Sequence, residues 1–171
     1  MLLTLSSCST ERGAAAIVAT TFGHLVPAGT VSVEETYQPR YDYSSGLVTT
    51  RNCARLVRTF ASNDIDAFLS AILEAARKPG WLVLRASAEA ELGAGRAVRL
   101  SGEQTVVSLV FYDFEHPTYR PLIYNEHTEG RFHGPLVDIN VWRFLVRMVV
   151  RDASDKGWSD CLDQARINPS F

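Results

Sequence analysis

The sequence has very few lysines and cysteines, and it lacks a long apolar run. Only Lys78 and Lys156 are lysines, three residues are cysteines, and the formal net charge at neutral pH is −2. This near-neutral balance excludes a global attraction to nucleic acid or to anionic lipid. The stretch that comes closest to a membrane-spanning helix is Ala14 to Val26. Polar residues interrupt it, so it falls short of the roughly 18 apolar residues that such a helix needs. The strong preference for arginine over lysine is typical of a GC-rich, bacterial genome.

The signatures of common catalytic and cofactor sites are also missing. The sequence contains no GxSxG nucleophile motif and no HExxH metal-binding motif. The stretch Gly93-Ala94-Gly95 lacks the lysine of a phosphate-binding loop and the third glycine of a dinucleotide-binding fold. We therefore expect no cofactor and no nucleic-acid partner.

Length and composition predict a folded globular domain, and the order of its expected strands and helices predicts the α+β class. The chain has 171 residues, of which 46% are hydrophobic and 21% charged, values that are ordinary for a globular protein. We expect residues 1–28 to form a leader-like or linker segment, partly helical, and residues 29–171 to form a single α+β domain. The predicted architecture is an antiparallel sheet of about four to five strands, covered on one face by two helical pairs.

Hydrophobic periodicity locates the expected elements along the chain. The predicted strands are 29–37, 81–85, 96–100, 105–114 and 120–124, and the apolar segment 105–114 is expected at the centre of the sheet. The predicted helices are 50–60, 64–77, 139–150 and 154–166. Residues 38–47 are expected to form a loop, and residues 86–95 fit neither element well.

The amino-terminal cysteine lies in a recognisable context. Leu5-Ser6-Ser7-Cys8 resembles the processing box of bacterial lipoproteins, in which the cysteine becomes acylated. That resemblance implies lipidation of Cys8. The preceding residues 1–4 provide no basic residue and no apolar run, so the box would act only if translation starts upstream of Met1. The alternative is a chance match in a segment rich in serine and threonine.

With Cys8 set aside, Cys53 and Cys161 form a pair. Each lies in line with the apolar residues of a predicted helix, and we expect a disulfide between them if the protein resides in an oxidising compartment. Such a bridge would close a long loop and stabilise the fold by about 4–5 kcal/mol. The alternative is two buried thiols that act as small apolar residues.

One polar segment, 113–138, contains the residues from which an acid–base or metal site could be built. These residues are Glu115, His116, Glu126, His127 and His133. Imidazole titrates near neutral pH, and a carboxylate can orient it, so the set is compatible with general acid–base or metal-assisted hydrolysis. The spacing matches no metal-binding helix, and we assign no metal ligand. The alternative is a pair of solvated loops.

Two tyrosine- and arginine-rich stretches are candidate binding surfaces. The first contains Tyr37, Arg40, Tyr41 and Tyr43, and the second contains Tyr119 and Arg120. Tyrosine and arginine are enriched at the centres of protein interfaces. The alternative is a tyrosine-rich loop that packs back on its own domain.

A row of arginines marks the segment predicted as the helix 139–150. Arg143, Arg147 and Arg151 recur every four residues and are expected on one side of that helix. Such a row is usually a solvated surface, and the alternative is a contact with an acidic partner.

Two functional hypotheses follow. The first is a non-catalytic binding protein of the bacterial cell envelope, in the form of a lipoprotein or of an immunity or inhibitor-type protein. It would be periplasmic or anchored in the outer membrane, and otherwise cytoplasmic; its partner would be a protein, and it would meet a membrane only through a lipid anchor. The second is a small hydrolase that uses the histidines and glutamates of the segment 113–138.

Overall fold

A computed structural model describes residues 13–45, 48–87, 97–115, 138 and 140–154. Within these residues there are three helices and eight strands. The helices are α1 (Ala14–Val18), α2 (Thr21–His24) and α3 (Ile65–Ala76). The strands are β1 (Thr30–Gln38), β2 (Tyr41–Ser45), β3 (Val48–Asn52), β4 (Arg55–Ser62), β5 (Leu82–Ser87), β6 (Ala97–Gly102), β7 (Thr105–Asp113) and β8 (Phe144–Asp152).

Six strands form one antiparallel sheet in the order β1-β4-β8-β7-β6-β5, and β2 pairs with β3 in a two-stranded ribbon. Every neighbouring pair in the sheet is antiparallel. The predicted antiparallel sheet in a mixed α and β fold is confirmed, as is the central position of β7. The sheet has six strands rather than four to five. The described residues contain α1, α2 and α3 rather than two helical pairs.

The main hydrophobic core lies between the helices and one face of the sheet, which we call the helix-covered face. Phe68 of α3 packs at its centre, with its ring centroid 5.7 Å from that of Phe60 and 5.8 Å from that of Phe111. Ile17 and Phe22 belong to the same core and are fully buried. The packing of α1 and α2 thus involves residues within the segment 1–28, and the domain boundary at residue 28 stays a prediction.

Helix α3 confirms the prediction of a helix at 64–77. Its first turn begins at Asp64, whose Oδ1 accepts a hydrogen bond from the backbone N–H of Ala67 at 2.8 Å and so satisfies a free amide. Phe68, Ile72 and Ala76 recur every four residues and are buried against the sheet. The chain leaves the helix through Gly80, whose φ of 92° is readily adopted only by glycine.

Two predicted helices are wrong, because both segments form strands. Residues 50–60 contain the end of β3 and most of β4, in which residues 56–62 are buried without interruption. A run that is buried on both faces has no period that separates a strand from a helix. Residues 139–150 contain most of β8. A four-residue spacing, as between Arg147 and Arg151, places side chains on the same side of a strand as well as of a helix.

The predicted loop 38–47 is also wrong, since residues 41–45 form β2. The strands expected at 29–37, 81–85, 96–100 and 105–114 correspond to β1, β5, β6 and β7. The strand 120–124 and all but the first residue of the helix 154–166 lie outside the described residues, as does most of the segment 86–95. No helix in the described part of the chain is both long and apolar enough to cross a membrane.

The turn between β6 and β7 fastens α2 to the sheet through Glu103. The Glu103 carboxylate accepts hydrogen bonds from the backbone N–H of Thr21 at 2.6 Å, from the Thr21 hydroxyl and from Trp81 Nε1 at 3.4 Å. Burial raises the pKa of Glu103, but the hydrogen bonds from Thr21 and Trp81 and the charge of Lys78 lower it by more. The net result is a pKa below the ordinary value of 4.5.

Replacing Glu103 with glutamine is expected to weaken the dependence of the free energy of unfolding on pH in the acidic range. Because the folded-state pKa is lowered, the carboxylate stabilises the fold above the unfolded-state pKa, and this contribution is lost as the pH falls through the folded-state value. Glu103 is exposed, so we expect a loss of only about 1 kcal/mol at pH 7. Urea denaturation of wild type and E103Q across acidic pH measures the difference, with E74Q as the exposed control on α3. Identical pH slopes for wild type and E103Q would contradict this role.

Candidate functional site

The second face of the sheet carries four arginines, and we call it the arginine face. Arg55 lies on β4, Arg99 on β6, and Arg147 and Arg151 on β8; together we call them the arginine cluster. Paired residues of antiparallel strands, and every second residue along one strand, share a face. Arg55 pairs with Arg151, and Ser108 pairs with both Arg99 and Val149. The four arginines therefore project from one side, opposite to the helix-covered face.

The cluster surrounds the Ser108–Val149 pair at the middle of the sheet. Val149 lies on β8 between Arg147 and Arg151, and Arg99 lies across Ser108 on the other side. Arg151 Nη1 donates a hydrogen bond to Ser108 Oγ at 3.1 Å. Arg55, beside Arg151, donates from Nε to Gln38 Oε1 at 2.6 Å.

The charges of the cluster oppose one another. Burial, and then the positive charges of Arg55, Arg99 and Arg147, lower the pKa of Arg151 to about 10. Burial also lowers the pKa of Arg55; Tyr41 acts in the opposite direction, and Arg147 lowers it further. At neutral pH these arginines are still charged. Among the described residues, no carboxylate forms an ion pair with Arg55, Arg147 or Arg151.

A buried hydroxyl lies beside the cluster. Thr59 of β4 pairs with Arg147 and is 1% exposed, and its Oγ1 makes no hydrogen bond with any described residue. A buried hydroxyl without a partner costs free energy. The arginine face therefore contains a polar group that a bound acceptor could satisfy.

The β2–β3 ribbon continues the β1–β4 pair past the end of the sheet. The chain runs from β1 through Pro39 and Arg40 into β2, and it returns from β3 through Cys53 and Ala54 into β4. Tyr41, the first residue of β2, is 50% exposed and lies close enough to Arg55 to act on the pKa of Arg55 in the upward direction, against the larger effect of burial. The ribbon and the arginine cluster therefore adjoin.

The predicted binding residues are found in different environments. Tyr37 is half-buried on β1 and packs against the main core, as expected for a residue with a structural role. Arg40 is half-buried in the connection to β2, and Tyr43 lies on β2. Tyr119 and Arg120 lie outside the described residues. Only Tyr41 is thus shown to be substantially exposed.

The predicted catalytic set is mostly outside the described residues. His116, Glu126, His127 and His133 all fall there, so the acid–base site stays a prediction. Glu115 lies in the turn that follows β7, where its Oε2 forms an ion pair with Arg143 Nη2 at 3.2 Å. In the part of the chain that the structure describes, no group of three or more histidine, cysteine, aspartate or glutamate residues could hold a metal ion.

Arg143, the first member of the predicted arginine row, does not join the cluster. It precedes β8, and its guanidinium also contacts Asp113 Oδ2 at 3.3 Å. Sequence inspection missed Arg55 and Arg99 as partners of Arg147 and Arg151. The only available signal was that Arg147 and Arg151 share a side in either type of secondary structure.

Cys53 lies between β3 and β4, not on a helix, and it takes part in a disulfide bond. The other two cysteines, Cys8 and Cys161, lie outside the described residues. The pairing of Cys53 with Cys161 and the lipidation of Cys8 stay predictions.

Compared with protein-family models, with curated proteins and with solved structures, the chain gives no match, so the case for a function depends on the residues themselves.

Proposed function

We propose that the chain is a non-catalytic binding protein with a protein partner, and that it binds through the β2–β3 ribbon. The supporting observation is Tyr41, which is half-exposed on a ribbon that pairs with no other described strand. A tyrosine offers a large, stiff contact area with a polar end, and such residues dominate binding energy at many interfaces. Arg40 precedes Tyr41 and adds the second residue type that interfaces favour.

Site-specific photo-crosslinking in the native cell tests this proposal. A photoreactive amino acid at position 41 is expected to capture one defined protein. The same amino acid at Leu73, which is 41% exposed on α3, provides the control and is expected to capture none. Equal capture at both positions, or none at position 41, would contradict the proposal.

Truncation of Tyr41 is expected to weaken binding to the captured partner by roughly thirtyfold, the effect of removing a typical interface anchor. The Y41F variant keeps the ring and is expected to lose less than about threefold. Surface plasmon resonance with the purified partner measures both variants. An unchanged affinity for Y41A would remove Tyr41 from the interface.

We further propose that the protein acts in the bacterial cell envelope, either as a lipoprotein or as an immunity or inhibitor-type protein. Two features support this location: the Leu5-Ser6-Ser7-Cys8 box and the disulfide at Cys53, since disulfides persist in oxidising compartments. The intact mass of the natively expressed protein, with and without reductant, is expected to show both acylation and one bridge.

Non-reducing peptide mapping identifies the partner of Cys53. A Cys53–Cys161 peptide leaves Cys8 available for acylation and supports the proposal. A Cys8–Cys53 peptide would exclude a lipid on Cys8, and free thiols throughout would remove both features that support the envelope location.

A further inference from the structure

We propose that the arginine cluster is a binding site for a phosphoryl group, seated over the Ser108–Val149 pair. This site lies on the surface of the sheet and not on the ribbon, so it does not depend on the proposed binding of a protein by Tyr41. The group could be free phosphate in solution or the monoester headgroup of a lipid, and both offer the same chemistry to the arginines.

The placement of the donors supports a site with one centre. Arg147 and Arg151 flank Val149 on β8, Arg55 lies beside Arg151, and Arg99 lies across Ser108. The four side chains start from different directions around one small area of sheet, so their guanidinium groups can converge above it. Valines at 57, 106 and 149 form an apolar floor, which strengthens charge-assisted hydrogen bonds by excluding water.

The positive charge of the cluster favours the binding of an anion. Arg151 already uses one N–H on Ser108, and it keeps further N–H groups for a ligand. Like charges brought together at a half-buried surface raise the free energy of the folded protein. Among the described residues, Arg55, Arg147 and Arg151 have no carboxylate in ion-pair contact. A bound anion would replace this repulsion with attraction.

The number and kind of donors favour a phosphoryl group over a carboxylate. A phosphoryl group carries about −1.5 to −2 charges at neutral pH and at least three acceptor oxygens, whereas a carboxylate has a single charge and two oxygens. Guanidinium groups bind phosphate oxygens in a two-pronged geometry. The Ser108 hydroxyl accepts from Arg151 and so can donate its own proton to the ligand, and the buried Thr59 hydroxyl lies beside Arg147.

The burial of the cluster favours a compact terminal group. All four arginines are only partly exposed, and Val106 and Thr59 of the same face are buried. A phosphoryl group at the end of a small molecule or of a headgroup can reach such a position. The near-neutral net charge of −2 gives the chain no overall attraction to a polymer of phosphates.

Isothermal titration with inorganic phosphate tests the proposal, with chloride used to hold the ionic strength constant. Wild type is expected to bind one phosphate per chain. The variants R147Q and R151Q are each expected to lose at least about tenfold in affinity, the usual effect of removing a charge-assisted hydrogen bond. The control R77Q, which changes an exposed arginine at the C-cap of α3, is expected to bind as wild type does.

Two further binding experiments identify the source and the type of the anion. Phosphatidylcholine vesicles that contain phosphatidic acid, in a sedimentation assay, present the monoester headgroup. Binding to these vesicles without binding of free phosphate would assign the site to a lipid. Succinate at matched ionic strength presents carboxylates, and binding as tight as that of phosphate would overturn the assignment to a phosphoryl group.

A folding control separates loss of binding from loss of structure. Each variant is unfolded thermally without phosphate, and R147K, which keeps the charge, is included. Folded R147Q and R151Q variants that bind phosphate as wild type does would overturn the proposal. No binding of phosphate or of the vesicles by folded wild type would overturn it as well.

Discussion

Arg58→Met is expected to lower the free energy of unfolding by about 3 kcal/mol, the largest stability effect that we predict for one residue. Arg58 is 4% exposed on the helix-covered face. Its Nε donates to Glu35 Oε2 at 2.9 Å, and its Nη1 donates to the carbonyl oxygens of Leu25 at 2.7 Å and Phe22 at 3.3 Å. Methionine would fill much of the volume, but these acceptors would lose their donor.

The loss is expected mainly at the contact between α2 and the sheet. Phe22 lies in α2 and Leu25 directly follows it, so Arg58 ties the end of this short helix to β4. Glu35 is partly exposed and can be rehydrated, which is why we place the cost below the upper end for a broken buried ion pair. Hydrogen exchange is therefore expected to rise first in residues 14–24 of the variant.

Urea denaturation at neutral pH measures the change in the free energy of unfolding of Arg58→Met. Arg58→Lys keeps the charge but loses the fork of donors, and we expect it to cost about half as much. Arg77→Met at the C-cap of α3 removes an exposed ion pair and is expected to change the free energy of unfolding by less than about 0.5 kcal/mol. A loss for Arg58→Met no larger than that for Arg77→Met would show that the contacts of Arg58 contribute little.

Arg151→Met is expected to have the opposite sign, and to raise the free energy of unfolding by about 1–2 kcal/mol in the absence of a ligand. Arg58 and Arg151 both lie on inner strands of the same sheet, but their surroundings differ. Arg58 faces a carboxylate and two carbonyls, whereas Arg151 faces Arg55, Arg99 and Arg147. Replacing a charge that is repelled by its neighbours removes a cost, and the methionine keeps the apolar contacts of the stem.

Denaturation in low-salt buffer without phosphate measures this gain. Added sodium chloride is expected to reduce the difference in the free energy of unfolding between wild type and Arg151→Met, because salt screens the repulsion among the arginines. A variant that is less stable than wild type at low salt would show that Arg151 is paired in a way that offsets its repulsion.

The parts of the fold that could be predicted from sequence are those fixed by local signals. Asp64 caps α3, the four-residue spacing of Phe68, Ile72 and Ala76 marks its buried side, and a short polar turn that includes Gly102 and Glu103 separates β6 from the apolar strand β7. Strands β4 and β8 both lie inside the sheet. Residues 56–62 of β4 are buried without interruption, so its pattern does not alternate. In β8 the half-buried residues 147, 149 and 151 do alternate with buried ones, but the four-residue spacing of its arginines fits a helix equally well. Their strand character depends on neighbours that are distant in sequence.

In the candidate site, too, some residues could be identified from local sequence signals and others only from contacts between distant strands. Tyr41 was identified from its residue type and its neighbours in sequence, and Arg147 and Arg151 from their spacing. Arg55, Arg99 and Ser108 join them only through the register of β4, β6, β7 and β8. Register between strands that lie up to almost one hundred residues apart in the chain is set by packing across the whole sheet, and a local pattern does not carry it.

The arginine cluster is held together against the repulsion among its own charges, and a bound anion would offset that repulsion. The most direct test compares the free energy of unfolding of wild type and the double variant R147Q/R151Q in urea, at low salt, with and without inorganic phosphate. We predict that the double variant is the more stable protein without phosphate, and that phosphate stabilises wild type but not the variant. A wild type that is more stable without phosphate, and that gains nothing when phosphate is added, would contradict the claim.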